Sequence, residues 1–220
     1  PQLTKNYASE NREALNRLLM TSSKISFILL YFLALPVFLE LPYLLDLWLV
    51  NVPPHVHIFT RIIILESLCE TLGSPMITSL LATGKIKWYQ IVVGSVMLLN
   101  IPISYALLKM GLPISIPLLV SLVLTALALI LRLWFCKRLI SLSIRKYICK
   151  VLMPLGAVLL LSPLLPTIVS INMNESFFRL LITALVSLIS VGACVYFLGL
   201  SCNERCLVQD LVRHKLKRTV

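Results

Sequence analysis

The chain has 220 residues, of which 59% are apolar and only 13% charged. Soluble domains carry about 45–50% and about 25% respectively, so a water-soluble fold, which could not hide this much hydrocarbon, is excluded. The formal net charge of +11 invites a nucleic-acid partner, but the charges sit at the edges of apolar runs and not on one folded face. Anionic membrane lipids are the expected partner and nucleic acid is not.

Six apolar stretches, centred near Tyr31, Cys69, Leu98, Thr125, Leu159 and Ser187, each approach the roughly 20 residues that a spanning helix needs. The expected fold is therefore all-α, a polytopic membrane protein of six transmembrane helices. Of the 20 Lys and Arg, 17 fall in four regions: Lys5 to Lys24, Lys85 with Lys87, Arg132 to Lys150, and Arg205 to Arg218. Positive charge resists translocation, so these four regions and both ends are predicted to be cytoplasmic. Six crossings also return the chain to its starting side, so the two arguments agree.

In chain order, residues 1–21 read as a cytoplasmic amphipathic segment in which Arg12, Glu13 and Arg17 alternate with Leu15, Leu18 and Leu19. The first span follows to Leu39, with a kink expected at Pro36. The run from Glu40 to Leu49 has two acids, no base and Trp48, which suits a short interfacial helix on the outer side. A second span from Val56 to Leu81 ends at a stop supplied by Gly84. The third runs from Tyr89 to Leu108 and the fourth from Ser115 to Phe135, with Arg132 expected to snorkel. The fifth, Val151 to Ser170, is expected to be broken by Pro163 and Pro166, and the sixth runs from Phe177 to Leu200. Four units result: 1–21; 22–137, with four helices; 138–200, a basic connection and a C-terminal helix pair; and 201–220, a basic cytoplasmic tail. The chain opens on Pro1 inside a polar stretch and is read as part of a longer protein.

Glu66 and Glu70 are the notable pair, because both lie near the middle of the second span. An ionised acid there costs about 2.5–3.5 kcal/mol, and such residues usually face a bundle interior or a wet cavity. Four residues apart, they share a face about 40° wide, which Gly73 and Ile77 extend. Two such carboxylates repel, and a shared proton or bound cation would relieve the conflict. That suits a coupling site in a transporter, whereas pairing with a polar group of another helix is the structural alternative. Arg61 lies on a different face and would snorkel outward or meet an anionic substrate. Asn100, in the third span, would bond across helices or line a pathway.

Cys69, Cys136, Cys149 and Cys194 lie in or beside apolar spans and read as small buried hydrophobes. Cys202 and Cys206 fall short of zinc-site spacing, and His55 with His57 has no third ligand, so no metal is expected. Gly84-Lys85 has Ser79 and Ile86 where a phosphate loop needs Gly and Ser or Thr. No nucleophile, base or metal set emerges, so neither an enzyme nor a cofactor is expected.

Several strings together resemble the bacterial polysaccharide flippases of the MOP superfamily, relatives of the MATE drug exporters. They are Pro1 to Glu10, Leu44 to Pro53, Gly73-Ser-Pro-Met-Ile-Thr78 with Ala82-Thr-Gly-Lys-Ile-Lys-Trp-Tyr-Gln90, and Leu99-Asn-Ile-Pro-Ile-Ser-Tyr105. The resemblance covers Pro1 to about Lys150 and weakens after it. It implies part of the second lobe of a two-lobed transporter plus a C-terminal helix pair, beginning before the ninth helix and running through the fourteenth. A missing N-terminal lobe of the same protein would be its partner. It also implies an O-antigen or capsule repeat unit, an undecaprenyl-diphosphate-linked oligosaccharide, as cargo flipped across the bacterial inner membrane for surface polysaccharide synthesis. A cation-coupled multidrug exporter of the same fold and a non-transporting membrane scaffold stay open beside it.

Overall fold

The computed structural model describes residues 12–49 and 51–199. Among these the chain is all-helical, with no strand. The helices are α1 (Arg12–Leu39), α2 (Leu41–Trp48), α3 (Val56–Ala82), α4 (Lys87–Leu98), α5 (Asn100–Lys109) and α6 (Ile116–Ile140). They continue as α7 (Ile144–Tyr147), α8 (Met153–Leu161), α9 (Leu164–Asn172) and α10 (Phe177–Cys194). Wide π turns at Ile148–Leu152 and Val195–Gly199 follow α7 and α10.

Five helical stretches are long and apolar enough to cross a membrane: Arg12–Leu39, Lys87–Lys109, Ile116–Ile140, Ile144–Asn172 and Phe177–Gly199. Helix α3 has 27 residues, ample length at ~1.5 Å each, but Arg61, Glu66 and Glu70 dilute its apolar character. It nevertheless lies innermost, packing most extensively against α6 on one side and α1 on the other. Helices α4 and α5 cover α6, and α10 lies against α1. The long helix with two acids near its middle thus packs between two others, as expected when a bilayer excludes charge.

The breaks follow from proline and glycine chemistry. Pro102 has no N–H, so the carbonyl four residues back, at Leu98, loses its usual partner and the third span divides into α4 and α5 at Leu99. Pro154 likewise cannot bond Lys150, and the preceding turn widens so that Met153 N–H reaches Ile148 O. Pro163 divides α8 from α9 as predicted. Gly84 and Gly111 adopt φ of +68° and +82° at the two tight turns flanking the third span, conformations that only glycine enters without cost.

Two boundaries differ from the sequence expectation. Residues 12–21 are no separate surface helix but the start of α1, with Leu15 and Leu19 buried in the core; the preceding residues, like tail residues 200–220, lie outside those described. The basic stretch 138–150 is also not a long connection. It closes α6, turns at Ser141, where φ is +57°, and reopens as α7. Ser143 caps α7 by accepting from Lys146 N–H at 3.4 Å.

The tightest core gathers where α1 begins and α3 and α6 end: Leu15, Leu19, Met76, Leu80, Cys136, Ile140 and Tyr147 are all sealed. Opposite them, Ile25, Leu29, Leu33 and Val37 line the outside of α1 every fourth residue, an apolar stripe suited to hydrocarbon.

Candidate functional site: a polar seam between α3 and α6

Helices α3 and α6 meet along polar and small residues. On α6 these are Ser121, Thr125, Ala128 and Arg132, spaced 4, 3 and 4 apart and so on one face. On α3 they are Glu66, Glu70 and Gly73. Glu66 Oε1 accepts hydrogen bonds from Ser121 Oγ at 2.6 Å and Thr125 Oγ1 at 3.2 Å. Further along both helices, Arg132 Nη2 stands 3.9 Å from Glu70 Oε1. The order of contacts is the same on both helices, so they run parallel.

Arg132 does not snorkel. Its side chain is 6% exposed, folded against α3 where Gly73 leaves room. A Cβ built on Gly73 would overlap Arg132 Nη1 and lie 3.2 Å from Cδ. Its Nε and Nη1 are buried without a hydrogen-bond partner. A snorkelling Arg needs an open path to the headgroups, and this one is covered.

Glu70 differs from both neighbours, with a side chain 60% exposed. Ser67, Ser74 and Thr78 are exposed beside it on α3. Ser67 Oγ, Thr71 Oγ1 and Thr78 Oγ1 donate to carbonyls four residues back, at 2.8, 2.7 and 3.3 Å. Those three hydroxyls are satisfied within the helix, so Glu70 is the charged group on this face that calls for water or an ion, with the exposed Ser74 one turn further on.

The structure therefore brings Glu66 and Glu70 to one seam but gives them different surroundings. Arg61 is not part of it: its guanidinium lies over the Phe38 ring, 5.5 Å from the centroid, tying the start of α3 to the end of α1. Asn100 is not part of it either. Its Oδ1 accepts from Ser104 Oγ, one turn along α5, at 2.9 Å, in place of a partner on another helix. Sequence reasoning overlooked Ser121, Thr125 and the burial of Arg132. The signal available was their common face on a span otherwise almost wholly apolar.

A second set of polar ties holds α1 to the C-terminal helices. Arg179 Nε and Nη2 donate to Glu40 Oε2 at 3.0 and 2.8 Å, and Arg179 Nη2 also stands 3.5 Å from Glu175 Oε1. Glu40, read from sequence as the first residue of an outer interfacial helix, is the residue immediately before α2 and is buried. Midway along α1, Tyr31 Oη and Ser162 Oγ are 2.8 Å apart, and Ser190 Oγ donates to Ser162 O at 2.7 Å. At the other end, Lys24 Nζ donates to Gly199 O at 3.0 Å.

Among the described residues, no three His, Cys, Asp or Glu converge on a point where they could hold a metal. In comparisons with known proteins, no family model, no curated protein and no solved structure matches the chain.

Proposed function

We propose that the chain is part of a membrane transporter, not an enzyme, and that the seam between α3 and α6 is its coupling site. The observation that carries this reading is the pair of acids on a central, span-length helix. One is held by hydroxyls at 2.6 and 3.2 Å, and the other is exposed beside a buried guanidinium at 3.9 Å. A purely structural acid would be sealed with a close partner, because an exposed carboxylate at this depth gains nothing from hydrocarbon. An exposed acid on a polar helix face is what a water-filled, cation- or proton-accessible path requires.

In this reading α3 crosses the membrane as a sixth span, with residues 83–86 and both ends of the chain on the cytoplasmic side, where basic residues collect. The extent of its packing against α1 and α6, helices long and apolar enough to span, supports that crossing. The resemblance noted in the sequence adds the cargo: a lipid-linked oligosaccharide moved across the bacterial inner membrane, with the counterpart lobe supplied by the rest of the same protein. The exposed Glu70 favours a second reading to the extent that it meets cargo directly, since a cation-coupled exporter of cationic compounds would use the same acid.

Complementation of a flippase-deficient strain, with accumulated lipid-linked intermediates measured, tests the reading. Wild type is expected to clear them. Glu70→Gln is expected to accumulate them at undiminished protein abundance. Normal clearance by the Glu66→Gln/Glu70→Gln double variant would end the coupling role.

A further inference from the structure

A buried guanidinium without a close carboxylate is costly, and the cost does not vanish by deprotonation because Arg stays charged at any accessible pH. Arg132 is in that position. Its side chain is 6% exposed, two of its nitrogens lack partners, and its nearest acid stands 3.9 Å away at the open edge of the seam. The charged groups on the elements packed against α6 are few. Helix α3 offers Arg61, Glu66 and Glu70, with Arg61 engaged on Phe38. Helices α4 and α5 contribute Lys87 and Lys109, both exposed at their far ends, and α7 contributes the exposed Arg145 and Lys146. Glu66 is occupied by two hydroxyls from α6. Glu70 is left as the acid that balances Arg132, and Arg132 as the cation that balances Glu70.

We propose that Arg132 is a tethered counter-cation, stored against Gly73, which competes with an external proton or metal cation for Glu70. This rests on the transporter reading above and adds to it a positioning residue with a defined opponent. When no external cation is present, the guanidinium neutralises Glu70. When one binds, Glu70 exchanges one positive partner for another, and the seam gains one positive charge because Arg132 stays tethered and charged. The slot is specific. Any side chain at position 73 would overlap the guanidinium, and a lysine at 132 would bring a charge but not the planar fork that lies flat on a glycine.

The test does not use transport. A hydrophobic carbodiimide, which modifies protonated membrane carboxyls, is applied to the protein reconstituted in vesicles, and modification of Glu70 is followed by mass spectrometry. Removing the competing charge in Arg132→Gln is expected to speed modification of Glu70 about three- to five-fold, the size appropriate to a pair with one partner exposed. Arg132→Lys, which brings the charge without the planar fork, is expected to restore the wild-type rate only in part. Gly73→Ala, which keeps the charge but denies it the slot, is expected to behave as Arg132→Gln does; this covers the case in which Arg132→Gln fails to fold. Added sodium is expected to protect Glu70 in Arg132→Gln more than in wild type if the opponent is a metal cation, and to make no difference if it is a proton. Equal rates in wild type and in the folded variants would overturn the proposal while leaving the transporter reading to its own complementation test.

Discussion

Arg179 places both Nε and Nη2 on one oxygen of Glu40, at 3.0 and 2.8 Å, joining residues 139 apart in sequence. The pair is sealed, Glu40 being 1% exposed, and it fastens the C-terminal end of α1 to the start of α10. Removing one member of a buried pair leaves an uncompensated charge, at a cost of about 3–5 kcal/mol, whereas replacing both by apolar residues can be close to neutral. Glu40→Met and Arg179→Met are each expected to lower the thermal unfolding midpoint of the detergent-solubilised protein markedly. The double variant should regain most of the loss, and a double-mutant cycle over these three variants and wild type measures the coupling.

Gly73 gives the corresponding prediction at the seam. A methyl group there would displace the Arg132 guanidinium, so Gly73→Ala should destabilise by about 1–3 kcal/mol, in the range for overpacking a core. Because the three atoms nearest to such a methyl all belong to Arg132, adding Arg132→Ala should relieve most of the cost. Strictly additive losses in the unfolding midpoint would place the strain elsewhere.

Lys24 donates at 3.0 Å to the carbonyl of Gly199, in the π turn that follows α10. A carbonyl in a buried setting is stabilised by a charged donor, which the Lys24 ammonium supplies. Lys24→Met keeps the stem and removes the charge, and should cost about 1–2 kcal/mol. The side chain is buried, so the loss should be the same at low and at high salt. A strongly salt-dependent loss would mean that the ammonium is solvated.

Much of this fold was legible because the bilayer imposes length and apolarity on every crossing. The predicted spans coincide with helices to within several residues at most ends, and proline and glycine marked the breaks at Ser162 and Gly84, whereas the break at Leu99 within the third span was not foreseen. The boundaries that moved were charged ones. Amphipathic residues 12–21 suit a membrane surface and a buried helix end equally, since both offer one apolar and one polar side. The acids at 66 and 70 could be found because charge in hydrocarbon is rare. Their partners could not, because which face of α6 meets α3 depends on helix rotation, which hydropathy does not fix. Arg132 was misjudged for the same reason. Three residues from Phe135, near a predicted membrane edge, a long basic side chain is expected to reach outward unless a glycine on another helix opens a place for it.

The account depends most on α3 crossing the bilayer, since only then do Glu66 and Glu70 lie at mid-depth. In a variant lacking the native cysteines, single cysteines at Asn51, Lys85 and Lys109 would be labelled with an impermeant maleimide from each side of the membrane. The expected result is labelling of positions 51 and 109 from the outer side and of position 85 from the cytoplasmic side. Labelling of positions 51 and 85 from the same side would contradict it.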